Sequence, residues 1–276
     1  MSVHSDGNTW LTKLERIGVL ARKQPALVFN NLMHVVDEDL LKQQYNKLDG
    51  KKAIGIDGIT KAEYGKDLAN NLAKLISKIR LDKYRPQPAK IVKIPKEDGG
   101  ERPLAISCFE DKLVQSAISE LLSIIYEPIF LTCSYGFRPN KNAHEALKEL
   151  RSLSYRFGKG AVVEIDISKY FNTIPHQELR NFMTKKIADR KLLRLLQRLV
   201  EAPIIENNII SLNSKGCPQG SIASPILANI YLHYVIDEWF AEITCQNLKS
   251  KAGMVRYADD SVPRAQRRLH EAINVN

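Results

Sequence analysis

The sequence predicts an α+β fold, and three observations predict it. The first half carries apolar positions at helical spacing in several separate runs, 90-KIVKI-94 alternates as a half-buried strand does, and short apolar strands at 161–167 and 254–257 bracket helices in the second half. With 276 residues, 44% hydrophobic and 26% charged, the chain is long enough for one large or two modest cores and has an ordinary globular composition.

Residues 1 to 50 read as mainly helical, with Leu11, Leu14, Ile17 and Leu20 on one face and Leu27, Val28, Leu32 and Val35 on a second face beyond Pro25. The turn-rich 53-AIGIDGIT-60 leads into one helix expected from Lys61 to Arg80, with Leu68, Leu72, Leu75, Ile76 and Ile79 in register. The basic run that follows folds back at Asp98-Gly99-Gly100, a hairpin turn by composition. Amphipathic helices are expected over 111–130 and 143–157, with the polar loop 134-SYGFRPNKNA-143 overlapping the start of the second. Then 161-AVVEIDI-167 reads as a nearly continuous strand, 175–187 and 190–200 as helices, and 204-IIENNIISL-212 as a hairpin turning at Asn207-Asn208. A glycine-bearing loop at 214–220 enters one long helix to Phe240, with Ser224 suited to cap it and Pro225 to its first turn. The strand 254-MVRY-257 closes the series.

Charge narrows the partners. Forty-one Lys and Arg against thirty-one Asp and Glu give a net charge of +10, which favours a polyanion through counterion release and leaves nucleic acid, acidic lipid and general stickiness open. Cys108, Cys133, Cys217 and Cys245 lack CxxC spacing, so reduced, buried thiols are expected rather than a zinc site or a disulfide framework. The first residues, MSVHSDGNTW, have no apolar core behind a basic start, and no stretch reaches the roughly 18 apolar residues of a membrane span; a soluble, cytoplasmic protein without a membrane partner is expected.

The carboxylates carry chemistry. Asp166 inside an apolar strand must be paired, protonated, at a rim or bound to a cation, because burying a bare charge is costly. Asp259-Asp260 alone suits an ordinary turn. Together, one strand and one hairpin tip can place three oxygen-bearing side chains around hard divalent cations, as Mg²⁺ sites completed by substrate phosphates require. Two such ions about 4 Å apart would activate a 3′-hydroxyl and stabilise leaving pyrophosphate.

Six blocks, 55-GIDGIT-60, 94-IPKEDGGERPLAI-106, 134-SYGFRPNKNAHEAL-147, 163-VEIDISKYFNTIPH-176, 216-GCPQGSIASPILANIYL-232 and 256-RYADD-260, stand in the order found in the group II intron-type reverse transcriptases that also act as maturases. The chain resembles that family over roughly residues 50 to 260. The resemblance implies a right-hand polymerase, with an N-terminal helical extension and fingers over 1–160 and palm over 161–276. It implies RNA-directed DNA synthesis from deoxynucleoside triphosphates on an RNA template and DNA primer, with intron RNA as a further partner and two Mg²⁺ ions, or Mn²⁺, as cofactors. Asp166, Asp259 and Asp260 match the catalytic aspartates, and the carbonyl of Ile167 is expected to help hold the nucleotide-bound ion. Tyr257 is the aromatic of the YxDD turn, beside nucleic acid. Phe171 matches a ring set against the sugar 2′ position, where it would exclude ribonucleotides; a core aromatic is the plainer reading. Lys96 and Arg102 match triphosphate-gripping cations, though as residues alone they suit a solvated face, while Gln219 and Gly220 match the nucleotide pocket lining. Arg138 either touches the template or holds the fingers together, and Asn229 stands near the site or on a helix surface.

After YxDD the pattern departs. Members of this type continue with a further strand, a primer-gripping hairpin and a helical thumb, whereas here Pro263 is expected to end the strand almost at once and 264-RAQRRLHEAINVN-276 to form a short basic helix. The palm is therefore expected to be incomplete, the thumb absent, and polymerisation by the chain alone weak or missing. The alternative is a non-catalytic RNA-binding remnant of an intron maturase.

Overall fold

The computed structural model describes residues 9–95, 99–158, 160–247 and 251–265. The chain divides into two compact units that interleave along the sequence, Met1–Pro128 with Phe171–Ser224, and Ile129–Tyr170 with Pro225–Asn276.

The first unit begins with α1 (Thr9–Lys23) and α2 (Glu38–Lys47), the latter capped by Asp37, whose carboxylate accepts from Leu40 N–H. The one helix expected over 61–80 is two, α3 (Lys61–Gly65) and α4 (Leu68–Arg80). Thr60 and Glu63 cap α3 reciprocally, but the Lys66 N–H bonds three residues back to Glu63, so the helix tightens and stops before Asp67. The basic hairpin is present as β1 (Ala89–Pro95) and β2 (Glu101–Ile106), antiparallel with Ile94 opposite Arg102. After it, α5 (Phe109–Tyr126) is the centre of the unit's core: Leu113, Val114, Ile118, Leu121, Leu122 and Ile125 are fully buried.

The second unit opens with α6 (Ala143–Phe157), capped by Asn142, and β3 (Ala161–Val162). The chain returns to the first unit with α7 (Tyr170–Thr173), α8 (His176–Thr184) and α9 (Arg190–Val200). The hairpin β4 (Ile204–Glu206) and β5 (Ile209–Ser211) turns at Asn207-Asn208, both at positive φ, as its two-residue loop requires. It extends the sheet to the order β2-β1-β4-β5, with β4 parallel to β1.

The long helix expected from Ser224 is α10 (Ser224–Leu232), a π-helical turn at His233–Asp237, and α11 (Glu238–Gln246). Such turns insert one extra residue and swing the following side chains to a new face. Ser224 Oγ–H donates to the Pro218 carbonyl. The hairpin β6 (Ala252–Tyr257) and β7 (Asp260–Ala265) completes a second sheet of order β3-β7-β6. In the second unit's core, Leu153 and Phe157 of α6 cluster with Tyr135, Ala146 and Val255.

Two expectations are corrected here. The strand from Ala161 to Ile167 is only β3 plus an isolated bridge between Ile165 and Ser261, and Pro263 does not end β7, which runs on to Ala265 opposite β6. One cause explains both. Ser261 exchanges both backbone bonds with Ile165, so Ser261 and Pro263 turn their polar backbone groups toward β3, leaving Pro263 opposite Met254 as a pair that needs no hydrogen bond. Pro263 O accepts from Val163 N–H at 3.0 Å but has no N–H to return, so the rung is lost on the β3 side alone. Arg264 and Ala265 belong to β7; the rest of the short helix expected over 264–276 lies outside the described residues. No helix among the described residues is long and apolar enough to cross a membrane.

Candidate active site

The acidic site belongs to the second unit. Tyr257 ends β6, Ala258 and Asp259 form the turn, and Asp260 starts β7. The Ile165–Ser261 pair, held by two bonds of 2.8 Å, sets the register so that Asp166 stands across from Asp260, one step nearer the turn. Side chains across such a pair lie about 4.5–5.5 Å apart at Cβ. Glu164 shares a sheet face with Asp166 by the two-residue period. The arrangement leaves an electrostatic mark: burial, then the charges of Asp259, Asp166 and Glu164, push the Asp260 carboxyl above the usual carboxylate range. Glu164 is a further member of this group, marked in the sequence only as a charge inside 161-AVVEIDI-167.

Among the described residues no three acidic, His or Cys side chains close into a metal cage. The donor set nonetheless fits a hard divalent cation. Its donors are carboxylate oxygens at an exposed or half-buried rim, Asp260 feels the negative charge of the others, and no ion pair with a Lys or Arg is found for Glu164, Asp166, Asp259 or Asp260 among the described residues. The Ile167 carbonyl accepts from Tyr170 N–H at 3.2 Å, which leaves its second lone pair available. Tyr257 is partly exposed beside the turn.

Behind the turn is a buried network that sequence reasoning missed. Arg256 is fully buried and is gripped end to end by Asp237, from Nε to Oδ1 and Nη2 to Oδ2, each 2.7 Å. Its remaining donors reach Ser134 Oγ at 2.7 Å, Asn229 Oδ1 at 3.2 Å and the Ala258 carbonyl at 2.9 Å. Asp237 is the last residue of the π-helical turn. Asn229 is buried and donates to the Gly136 carbonyl at 2.8 Å, so it stands behind the turn. The available signal was an arginine in the apolar strand 254-MVRY-257 and an aspartate in the apolar helix 230-IYLHYVIDEWF-240, each of which had to find a partner. Arg138 donates from one nitrogen to the carbonyls of Leu131 and Ser134, 2.7 and 2.8 Å, and lies over the Phe130 ring, so it holds its own loop.

In the first unit Phe171, Asn172, Pro218 and Gln219 line one cavity of about 360 Å³, with Ile91 and Pro103 of the basic hairpin. Backbone bonds set its wall: Cys217 N–H donates to Phe171 O at 2.7 Å, Gly216 N–H to Ile174 O at 2.8 Å and Ala105 N–H to Gln219 O at 2.5 Å. Gly220 has φ +105, and a Cβ there would lie 2.4 Å from the Ala105 carbonyl, so only glycine lets the loop lie on β2. Burial pushes the Cys217 thiol up to about 12, so it is an inert packing group. Arg102 is exposed near the tip of the hairpin; Lys96 lies outside the described residues.

Residues 94–272 match the family model described as reverse transcriptase (RNA-dependent DNA polymerase). Protein YkfC of Escherichia coli is 30% identical over 279 residues, which is 90% of this chain and 73% of that protein. An uncharacterized 91 kDa protein in a cob intron of Schizosaccharomyces pombe is 34% identical over 87% of this chain, and group II intron-encoded protein LtrA of Lactococcus lactis is 35% identical over 80% of it. The chain spans 29% and 37% of the length of those two proteins. Among solved structures, a chain of a partial Cas6-RT-Cas1-Cas2 complex aligns over 84% of this chain and 37% of its own length, at 20% identity and a TM-score of 0.49. Family members generally use divalent metal ions. On the family match and these relatives, the chain belongs to the reverse transcriptase (RNA-dependent DNA polymerase) family and is related to the proteins that group II introns encode.

Proposed function

We propose that the chain carries the fingers and palm of an RNA-directed DNA polymerase of the group II intron type, which adds deoxynucleotides to a DNA primer on an RNA template. The observation that supports the reading is that Asp260 feels the charges of Asp259 and Asp166 at one rim of the β3-β7-β6 sheet, with no Arg or Lys partner for the three among the described residues. Mg²⁺, bound as a pair of ions, would supply activation of the primer hydroxyl and neutralisation of charge at the phosphates. The chain's own residues do the rest. The three aspartates would hold the cations, and the Ile167 carbonyl would add an oxygen. Arg102 and Lys96, both cationic, grip the triphosphate, Arg102 with a bidentate fork and Lys96 as a point charge. Phe171 stacks its ring against the sugar and leaves no room for a 2′-hydroxyl, while Gln219 and Gly220 form the wall beside it. Template reading falls to base pairing, and the net charge of +10 serves the sugar-phosphate backbone of template, primer and intron RNA.

Primer extension on an RNA template tests this. Wild type extends with deoxynucleotides and Mg²⁺, and Asp259→Ala does not. Equal extension by both removes the catalytic role, and RNA binding without extension by either favours the non-catalytic reading to which the positive charge equally points.

A further inference from the structure

We propose that Arg256 is a positioning residue for the carboxylate turn, with Asp237, Asn229, Ser134 and Gly136 as its supports; the inference rests on the reading of Asp166, Asp259 and Asp260 as a metal site. A guanidinium has five N–H donors, and here all five are engaged: two on Asp237, one on Ser134, one on Asn229 and one on the Ala258 carbonyl. Neutralising Asp237 alone needs only two of them. The bond to Ala258 acts on the turn itself, because Ala258 has φ +57, a left-handed conformation that a residue with a Cβ adopts only where its surroundings impose it.

The turn is also backed from behind. A Cβ on Gly136 would lie 2.3 Å from Ala258 N and 3.1 Å from Tyr257 C, so the loop backbone at Gly136 packs directly on the turn. Asn229 holds that backbone in place through the Gly136 carbonyl and the turn through Arg256. Ser134 and Tyr135 join the loop to β6, with Tyr135 N–H donating to Arg256 O at 2.8 Å and Arg256 N–H to Cys133 O at 2.7 Å. Asp259 and Asp260 thus stand on a turn whose conformation is set by one buried cation and one bare stretch of backbone. Lysine cannot substitute, since its ammonium lacks the planar fork that reaches Asp237 and Ala258 together.

The test uses the full chain and Mn²⁺ alone, titrated by electron paramagnetic resonance, with Asp259→Ala defining the signal that belongs to the turn and thermal melts run in parallel. Arg256→Lys and Gly136→Ala each lower the Asp259-dependent Mn²⁺ affinity by about tenfold, the range seen when the groups that orient metal ligands are removed. Ala258→Gly placed in the Arg256→Lys chain restores most of that affinity, because glycine populates the left-handed region unaided, while the melting temperature stays at the level of Arg256→Lys. Gly136→Ala removes no hydrogen bond, so it carries the test should Arg256→Lys not fold. Wild-type affinity in folded Gly136→Ala, or a lowered melting temperature in Arg256→Lys with unchanged affinity, overturns the inference. Wild type without any Asp259-dependent Mn²⁺ signal overturns the metal reading beneath it, a separate result.

Discussion

Single residues decide chemistry here through what fixes them. Phe171 is placed by a carbonyl that accepts from Cys217 N–H, and its neighbour Asn172 is pressed against Gly216, where a Cβ would meet Asn172 C at 2.7 Å. Phe171→Ala is therefore expected to raise ribonucleotide incorporation relative to deoxynucleotide by at least about tenfold, the scale of losing steric discrimination in a shaped pocket. Competitive primer extension reads it, and unchanged sugar selectivity takes the ring out of that role. Asp111 makes a different prediction. It is buried, accepts from Tyr84 Oη at 2.5 Å and from Gln87 N–H at 3.0 Å, and its carboxyl is pushed by burial from 3.8 to about 6. A folded pKa above the unfolded one gives stability that is full below about pH 4 and lost as pH rises to about 6. Asp111→Asn should flatten the decline of the urea midpoint across that window, and an identical decline in both proteins would rule Asp111 out as its source. At this scale the aspartates drew attention as carboxylates at apolar strands, but their assignment as a group came from the resemblance of the ordered motifs around them. Arg256 was not, since a lone arginine in MVRY gives no hint of which distant residue pairs with it.

Elements were readable where local chemistry sets them and misread where a partner does. Asn207-Asn208 announced its turn, and both residues adopt positive φ, 51° and 65°. Asn208→Val should lower stability by about 1–2 kcal/mol, the cost of a left-handed β-branched residue, measured by urea unfolding; a change near zero would mean the turn had rearranged. The strand at 161–167 failed as an expectation because its pairing depends on which way Pro263 points, a property of three strands together. The helix after Ser224 was expected unbroken because its sequence is mostly apolar and carries no Gly or Pro beyond Pro225, and the π turn that ends at Asp237, the partner of Arg256, has no local mark of that kind.

The whole molecule adds the interleaving of two units, which no local periodicity shows, because it depends on which helices and strands pack together across more than a hundred residues. The core around α5 is the largest apolar investment of the first unit, and Leu121→Ala, at a fully buried position, should cost about 2–5 kcal/mol by chemical denaturation. A positive net charge of +10 predicts that binding to structured RNA weakens as log affinity falls linearly with log salt, whatever the sequence; a flat dependence would exclude phosphate contacts as its source. The central claim, that the carboxylates of Asp166, Asp259 and Asp260 act as one metal-dependent catalytic unit, is tested most directly by single-turnover deoxynucleotide incorporation on an RNA template, comparing wild type, Asp166→Asn, Asp259→Ala and the double variant. Residues that act as a unit are non-additive, so each single variant should lose at least about a thousandfold in rate and the double variant no more than either. Rates near wild type for either single variant, or losses that multiply in the double, would contradict it.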